Sequence, residues 1–338
     1  MVQPSIADED QFHWHRLLPA LIVAAARLAY INPYESVLTV PFLFDDEPWI
    51  NMTAQAVDQG PASLLARFAY DRRAMVVLTM AVNYWLDGED PAGYHLLNVA
   101  IHALAGLALY GVVHRTLLLP RLRERVAPVA PGLAFAAALL FVVHPLATQA
   151  VTYIVQRAES MMALFFLLSL YAAIRLHDDR ASRAVWLPLM TFAALMGMWS
   201  KEIMGVLPLV VVLYDRAFTT WSVREQLARR WPVYALLAAS WTVLILGGLV
   251  GQITAAKSSV GLAAEFTTPW QYAVTQPKII FHYLYLSLWP GPLVFDYAWP
   301  PAIQPPSAPG WDRDRIISQL INEVLPWTAA LLVIATTC

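Results

Sequence analysis

The sequence predicts an all-α polytopic membrane protein with a large first extracytoplasmic loop, and three observations carry that prediction. Hydrophobic residues make up 59% of the 338 residues and charged residues only 14%, against about one quarter charged in a soluble domain. The apolar residues fall in blocks long enough to cross, or nearly cross, a hydrocarbon layer. Charges cluster between the blocks rather than inside them. The formal net charge of -2 offers no basic surface for nucleic acid. The single cysteine, Cys338, supports neither a disulfide framework nor a cysteine metal site. A polytopic bundle uses a chain of this length as one domain, residues 1–338.

The first apolar run, Leu17 to Ile31, lacks the basic region, short apolar core and small-residue cleavage site of a removed signal peptide, so it is expected to be a retained anchor. Arg27 within it must snorkel or find a partner in the bundle. Fifteen helical residues reach only about 23 Å, so this span must borrow flanking residues or thin the bilayer. Residues 41–92 are too polar for one more crossing and are expected to form a folded loop with amphipathic helices. Met75 to Leu86 within it is too short to insert fully. Further spans are expected at Gly93–Leu119, Pro131–His144, Ser160–Leu176, Val185–Trp199, Ile203–Phe218, Pro232–Val250 and Pro277–Trp289. A last run from Leu325 stops at Cys338, too short for a comfortable crossing, and reads as the cut end of a longer region.

Orientation follows from charge. Alternate connections carry "PRLRERVAP", "HDDRASR" and "DRAFTTWSVREQLARRWP", whose arginines mark cytoplasmic helix ends. That assignment puts the N-terminus in the cytoplasm. It sends residues 41–92, "HPLATQAVTYIVQRAES", "SKE" and the 251–276 loop to the far side.

Several ionisable residues are thereby expected on one membrane face. Asp45 and Asp46 follow the apolar run "TVPFLF", and adjacent carboxylates in such surroundings need water, a cation, hydrogen-bond donors or a chemical task. Their ordinary reading is a solvated helix lip or a cap. His95 and His102, nearly two helical turns apart, fit a polar packing face with Tyr94 and Asn98; two histidines do not specify zinc. His144 precedes Pro145 and marks a span end. Arg157 with Glu159, and Lys201 with Glu202, are either helix-end ion networks or a phosphate-recognition set. No glycine-rich nucleotide fingerprint is present.

The ordered stretches "FLFDDEPWI", "GYHLLNVAIHAL", "FVVHPLATQAVTYIVQRAESMMALFFLLSLY", "WSKEIMGVLPLVVVLYD" and "YLYLSLWPGPLVFDYAWP" resemble the membrane domain of the transmembrane and tetratricopeptide-repeat O-mannosyltransferase family and related bacterial proteins. More distantly, the chain is similar to GT-C-class protein O-mannosyltransferases. The resemblance implies a GT-C-like multi-helix bundle whose active site lies on the periplasmic or lumenal side, here the periplasmic face of a bacterial inner membrane. It implies transfer of a sugar, mannose being the family's, from a polyprenyl-phosphate donor to an acceptor hydroxyl, such as one on a protein. The family's acidic pair maps onto Asp45 and Asp46, the histidine-proline and "QRAES" region onto His144, Pro145, Arg157 and Glu159, and the lysine-glutamate pair onto Lys201 and Glu202. No tetratricopeptide repeats follow in this sequence, a departure from the family pattern.

On this basis Asp45 is expected to accept or orient the hydroxyl proton. Asp46 would orient the acceptor or help to hold a divalent cation, while Arg157 and Lys201 stabilise the phosphate. Supporting places fall to His95, His102, His144, Glu159 and Glu202. Two alternatives belong to other classes: a secondary transporter or flippase for a phosphate-bearing lipid, and a non-catalytic membrane assembly module.

Overall fold

The computed structural model describes residues 6–32, 36–178, 182–219, 222–247, 269–291, 293–294, 297, 324–326 and 328–329. They are helical throughout, with one isolated bridge between Ile31 and Ser36 and no strand among the described residues. Among the described residues, three stretches are long and apolar enough to cross a membrane: Pro91–Leu117, Pro120–Val143 and Ile154–Arg175. The chain is an integral membrane protein of all-α class.

The chain divides into two units, Met1–Gly248 and Leu249–Cys338. Helix α1, Ile6–Tyr30, is longer than the expected first span, but its added N-terminal residues include Asp8, Glu9, Asp10 and Arg16, so the apolar run itself stays as short as expected. Residues 41–92 fold into α2 (Asp46–Asp58), α3 (Pro61–Ala66) and α4 (Ala74–Asp87). Helix α5 (Pro91–Leu117) starts with Asp90 accepting from the Ala92 N–H and with proline at its first position, where no N–H is required. Short α6 (Pro120–Val126) leads into α7 (Ala130–Val143). A short α8 (Thr148–Thr152) precedes α9 (Arg157–Arg175), which runs back beside α10 (Arg183–Met198).

Two expected spans take a different form. Ile203–Phe218 is a 3-10 turn, Glu202–Val206, followed by a short α11, Leu207–Phe218. The expected Pro232–Val250 begins earlier, as α12 (Val223–Ala239), and breaks at Ser240 before α13 (Trp241–Leu246). The sequence Ser-Val-Arg-Glu forms a capping box at Ser222 and Glu225, which starts α12 inside the run expected to be a basic loop. In the second unit, α14 (Pro269–Leu288) contains most of the expected Pro277–Trp289 span. The 251–276 loop and the run from Leu325 to Cys338 lie largely outside the described residues.

Helix α5 is the centre of the first unit, packed against α1, α7 and α9. Small residues allow the close approach that drives association where no water is expelled. At Gly106 a Cβ would lie 2.3 Å from Val142 Cγ1 and 3.3 Å from Ile22 Cγ2, so only glycine fits where α1, α5 and α7 meet. The helix directions sort the loops. Tyr30 and Val151 pack beside Val99, Arg157 meets Tyr94, and Glu159 meets Lys201, so these segments share one end of the bundle. The opposite end gathers the C-termini of α5, α9 and α11, where Thr116 meets Tyr214 and His177 meets Asp215.

Candidate functional site at the α9 N-terminus

The core beneath the first end is built from Ile50 of α2, Val76 and Met80 of α4, Tyr94 of α5, and Tyr153, Ile154, Val155 and Ala158. On this base the two aspartates of "FDDE" part company. Asp46 is 1% exposed. One carboxylate oxygen accepts from the Leu43 N–H at 2.9 Å and the other from the Val155 N–H at 2.8 Å. Asp46 therefore fastens the 41–45 loop to the turn before α9. Burial holds its carboxyl above the usual aspartate range, although the two backbone donors pull the other way. Those neighbours are hydrogen-bond donors, the wrong partners for a cation. No group of three His, Cys, Asp or Glu residues is placed to hold a metal ion among the described residues.

Asp45 is exposed. It occupies the N-cap of α2, yet its side chain makes no capping bond, which sets aside the ordinary reading of a helix cap. Its backbone N–H donates to Tyr153 Oη at 3.1 Å. Burial pushes the Tyr153 phenol up, and the charges of Asp45 and Asp46 push the same way.

Arg157 opens α9 with 0% exposure. Its Nε donates to Asn98 Oδ1 at 2.6 Å and its Nη2 to the Tyr94 carbonyl at 2.9 Å, while the guanidinium lies 5.7 Å from the centre of the Tyr94 ring. Nη1 has no hydrogen-bond partner, and no carboxylate lies within ion-pair distance of Arg157 among the described residues. Asn98 is itself fixed by donating to the carbonyls of Val151 and Ile154. Its direct contacts are neutral dipoles, with the Asp46 charge acting on it only from beyond ion-pair distance, and a buried cation without an ion-paired partner is poised for an anion.

Lys201 pairs with Glu159, two residues along α9 from that buried guanidinium. The segment carrying Lys201 is tied to the 41–92 region, because the Trp199 carbonyl accepts from the Met75 N–H and Trp199 Nε1 donates to the Phe68 carbonyl. Glu202 has one buried carboxylate oxygen without a partner among the described residues. The contacts of these helices place Asp45, Asp46, Arg157, Glu159 and Lys201 at one end of the bundle, with Glu202 beside Lys201.

The histidines divide. His95 meets the Val40 carbonyl at 2.9 Å and so anchors the strand of chain leading to the aspartates. His102 lies two turns deeper, against the Val142 carbonyl and between the rings of Tyr30 and Phe141, a packing position away from the charged cluster. His144 accepts from the Leu146 N–H and caps the turn after α7.

Sequence reasoning missed a second polar cluster at the other end. Asp215, 0% exposed, accepts from Arg230 Nε at 3.0 Å and Tyr234 Oη at 2.6 Å and lies 2.7 Å from His177 Nε2. Arg230 also donates to the Ala173 carbonyl at 2.9 Å. The available signal was the S-x-x-E cap at Ser222, which fixes the helical phase and turns Gln226, Arg230, Val233 and Leu237 to the buried face.

Comparison with known proteins gives a consistent likeness. The chain is 38% identical over 107 residues to human protein O-mannosyl-transferase TMTC1, covering 32% of this chain and 11% of the relative. It is 34% identical over 140 residues to human protein O-mannosyl-transferase TMTC4, 38% of this chain and 19% of that one. The Caenorhabditis elegans protein O-mannosyl-transferase F38B6.6 aligns over 287 residues at 26% identity, 79% of this chain and 38% of the relative. No family model matches, and no solved structure matches. The matched part thus spans well under half the length of these relatives, and over that part the chain is homologous to the TMTC O-mannosyltransferases.

Proposed function

We propose that this chain is a GT-C-like membrane glycosyltransferase that moves a sugar, mannose by analogy with its relatives, from a polyprenyl phosphate to an acceptor hydroxyl such as one on a protein. The observation that carries the proposal is Arg157, a buried guanidinium with no carboxylate within ion-pair distance among the described residues, at the same end of the bundle as exposed Asp45. Donor and acceptor would meet at the extracytoplasmic end, the periplasmic face if the membrane is a bacterial inner one. The arginine-rich connections at the opposite end favour that orientation. A lipid-linked donor reaches such a site from the membrane lipids themselves.

In this reading Asp45 takes or orients the proton of the attacking hydroxyl. The bond between the anomeric carbon and the phosphate oxygen breaks as negative charge gathers on the phosphate. Arg157 and Lys201 answer that charge, most strongly in the transition state. Glu159 holds Lys201, and Asp46 holds the loop bearing Asp45. No step is assigned to a cation.

Replacing Asp45 with Asn in the reconstituted protein is expected to leave insertion intact and to lower sugar transfer about 10²-fold or more. Near-normal turnover of that variant, measured where chemistry limits the rate, rejects Asp45 as the base. A second reading, a transporter or flippase, draws on the prolines inside α1, α10, α12 and α14. Flux of an intact lipid-linked sugar without any glycosyl product, in the same membranes, would select it.

A further inference from the structure

One aspartate, Asp71, lies among three arginines, Arg67, Arg72 and Arg73, in the segment before α4. One of its carboxylate oxygens accepts from Arg67 Nη1 at 3.0 Å and the other from the Arg73 backbone N–H at 2.8 Å. The acid is thereby committed, and the Arg73 side chain lies over α2 instead. Its guanidinium carbon is 5.7 Å from the centre of the Trp49 ring, a stack that suits a planar, weakly hydrated cation. Among the described residues the Arg73 guanidinium makes no hydrogen bond or ion pair, and none of its nitrogens is buried. Access separates it from Arg157, which is 0% exposed. Arg73 is half-buried, with its charged head open. Two backbone bonds fix where this cation stands. The Met75 N–H donates to the Trp199 carbonyl, two residues before Lys201, and the Trp49 N–H donates to the Asp45 carbonyl. Arg73 thus joins the segment that carries Lys201 to the first turn of α2, whose N-cap is Asp45.

We propose that Arg73, held on Trp49, binds the phosphate of the lipid-linked donor at the outer rim of the site. The choice of that lipid rests on the glycosyltransferase reading. A guanidinium offers a phosphate parallel N–H donors, and the Trp49 ring fixes its plane without using them. A phosphate arriving from the membrane surface meets this open cation before the sealed Arg157. A contact of this kind is made in the bound donor as well as in the transition state, so it serves binding rather than turnover. Arg72 provides the comparison. It has no ion pair either, but its stem packs toward the end of α13, where a Cβ on Gly247 would lie 2.5 Å from Arg72 Cγ.

The test titrates a short-chain polyprenyl phosphate, the matching polyprenol and phosphatidylglycerol into the purified full chain and its Arg73→Gln and Arg72→Gln variants. The Asp71 bond at this turn uses the Arg73 backbone, so Arg73→Gln is expected to melt like the parent. It should bind the polyprenyl phosphate about tenfold more weakly, the scale of one charge-assisted contact, with polyprenol and phosphatidylglycerol unchanged. In transfer assays its KM for the donor should rise by a similar factor, with kcat within about twofold of the parent. Arg72→Gln should stay near the parent throughout. Unchanged affinity in Arg73→Gln overturns the proposal. An equal loss in Arg72→Gln also overturns it, by reducing the effect to diffuse charge. So does an equal loss of phosphatidylglycerol binding in Arg73→Gln, which would assign the contact to bulk lipid headgroups. Sugar transfer absent from the parent sinks the glycosyltransferase reading while the binding titration still decides Arg73, whereas normal transfer with parent-like affinity in Arg73→Gln sinks this proposal alone.

Discussion

The two ends of the first unit each bury an arginine, and they treat its charge in opposite ways. Arg230 faces a buried carboxylate, Asp215, which also contacts His177 and Tyr234. Arg157 faces an asparagine and a backbone carbonyl. Both guanidinium groups keep one Nη1 without a partner, so unmatched hydrogen bonding does not separate them. Local neutralisation does. A closed ion pair ties α9, α11 and α12 together and leaves no net field for a ligand. Arg157, with no carboxylate within ion-pair distance among the described residues and the Asp46 charge acting only from farther off, gains when an anion arrives. One end is thus built to hold helices and the other to hold a negatively charged group.

The sharpest way to break this contrast is through stability. Asp215→Asn strands Arg230 without its counter-charge and is expected to destabilise the protein by about 3–5 kcal/mol. Arg157→Met, which strands no ion-paired carboxylate, should cost less than Asp215→Asn. Thermal unfolding of both variants in one detergent reads the difference, and equal losses would erase the distinction between the ends.

A smaller effect is expected at the rim of the site. Glu159 and Lys201 form an ion pair whose side chains are 34% and 16% exposed, and Glu159→Gln should change stability by about 0.2–1 kcal/mol. Its effect on transfer should be the larger one, since Lys201 loses the group that orients it. A variant that unfolds but transfers normally when folded would move this pair from the site to the scaffold.

The smallest effect is pH dependence at Asp46. Its folded carboxyl sits above the ordinary aspartate value because of burial. A raised pKa contributes stability that is fully present below the unfolded value and is lost as pH rises through the folded one. The stability advantage of the parent over Asp46→Asn should therefore shrink as pH rises from the ordinary aspartate range through the folded Asp46 pKa, and then stay flat. An advantage that grows over that interval would mean that the two backbone donors outweigh burial.

Much of this contrast was legible in the residues, and the parts that were not share a cause. Apolar blocks and alternating basic connections gave the membrane class and the gathering of Asp45, Arg157 and Lys201 at one end, because hydropathy and charge are additive along a chain. The different fates of Asp45 and Asp46 were not readable, because they depend on which carboxylate turns toward the Val155 N–H, a contact 109 residues distant. The Asp215 cluster was hidden inside "DRAFTTWSVREQLARRWP". Counting its arginines as loop charges ignored the helical phase that begins at Ser222 and separates exposed Arg229 from buried Arg230.

The central claim is that Arg157 is a buried cation held outside any ion pair and kept for a phosphate. Its direct measurement is the binding of a short-chain polyprenyl phosphate, with the corresponding neutral alcohol as control, to purified parent protein and to Arg157→Met. The account predicts affinity for the phosphate at least about tenfold weaker in the variant, a difference of about 1.4 kcal/mol, with binding of the alcohol unchanged. Equal affinity of the two proteins for the phosphate, in a variant that melts like the parent, would contradict it.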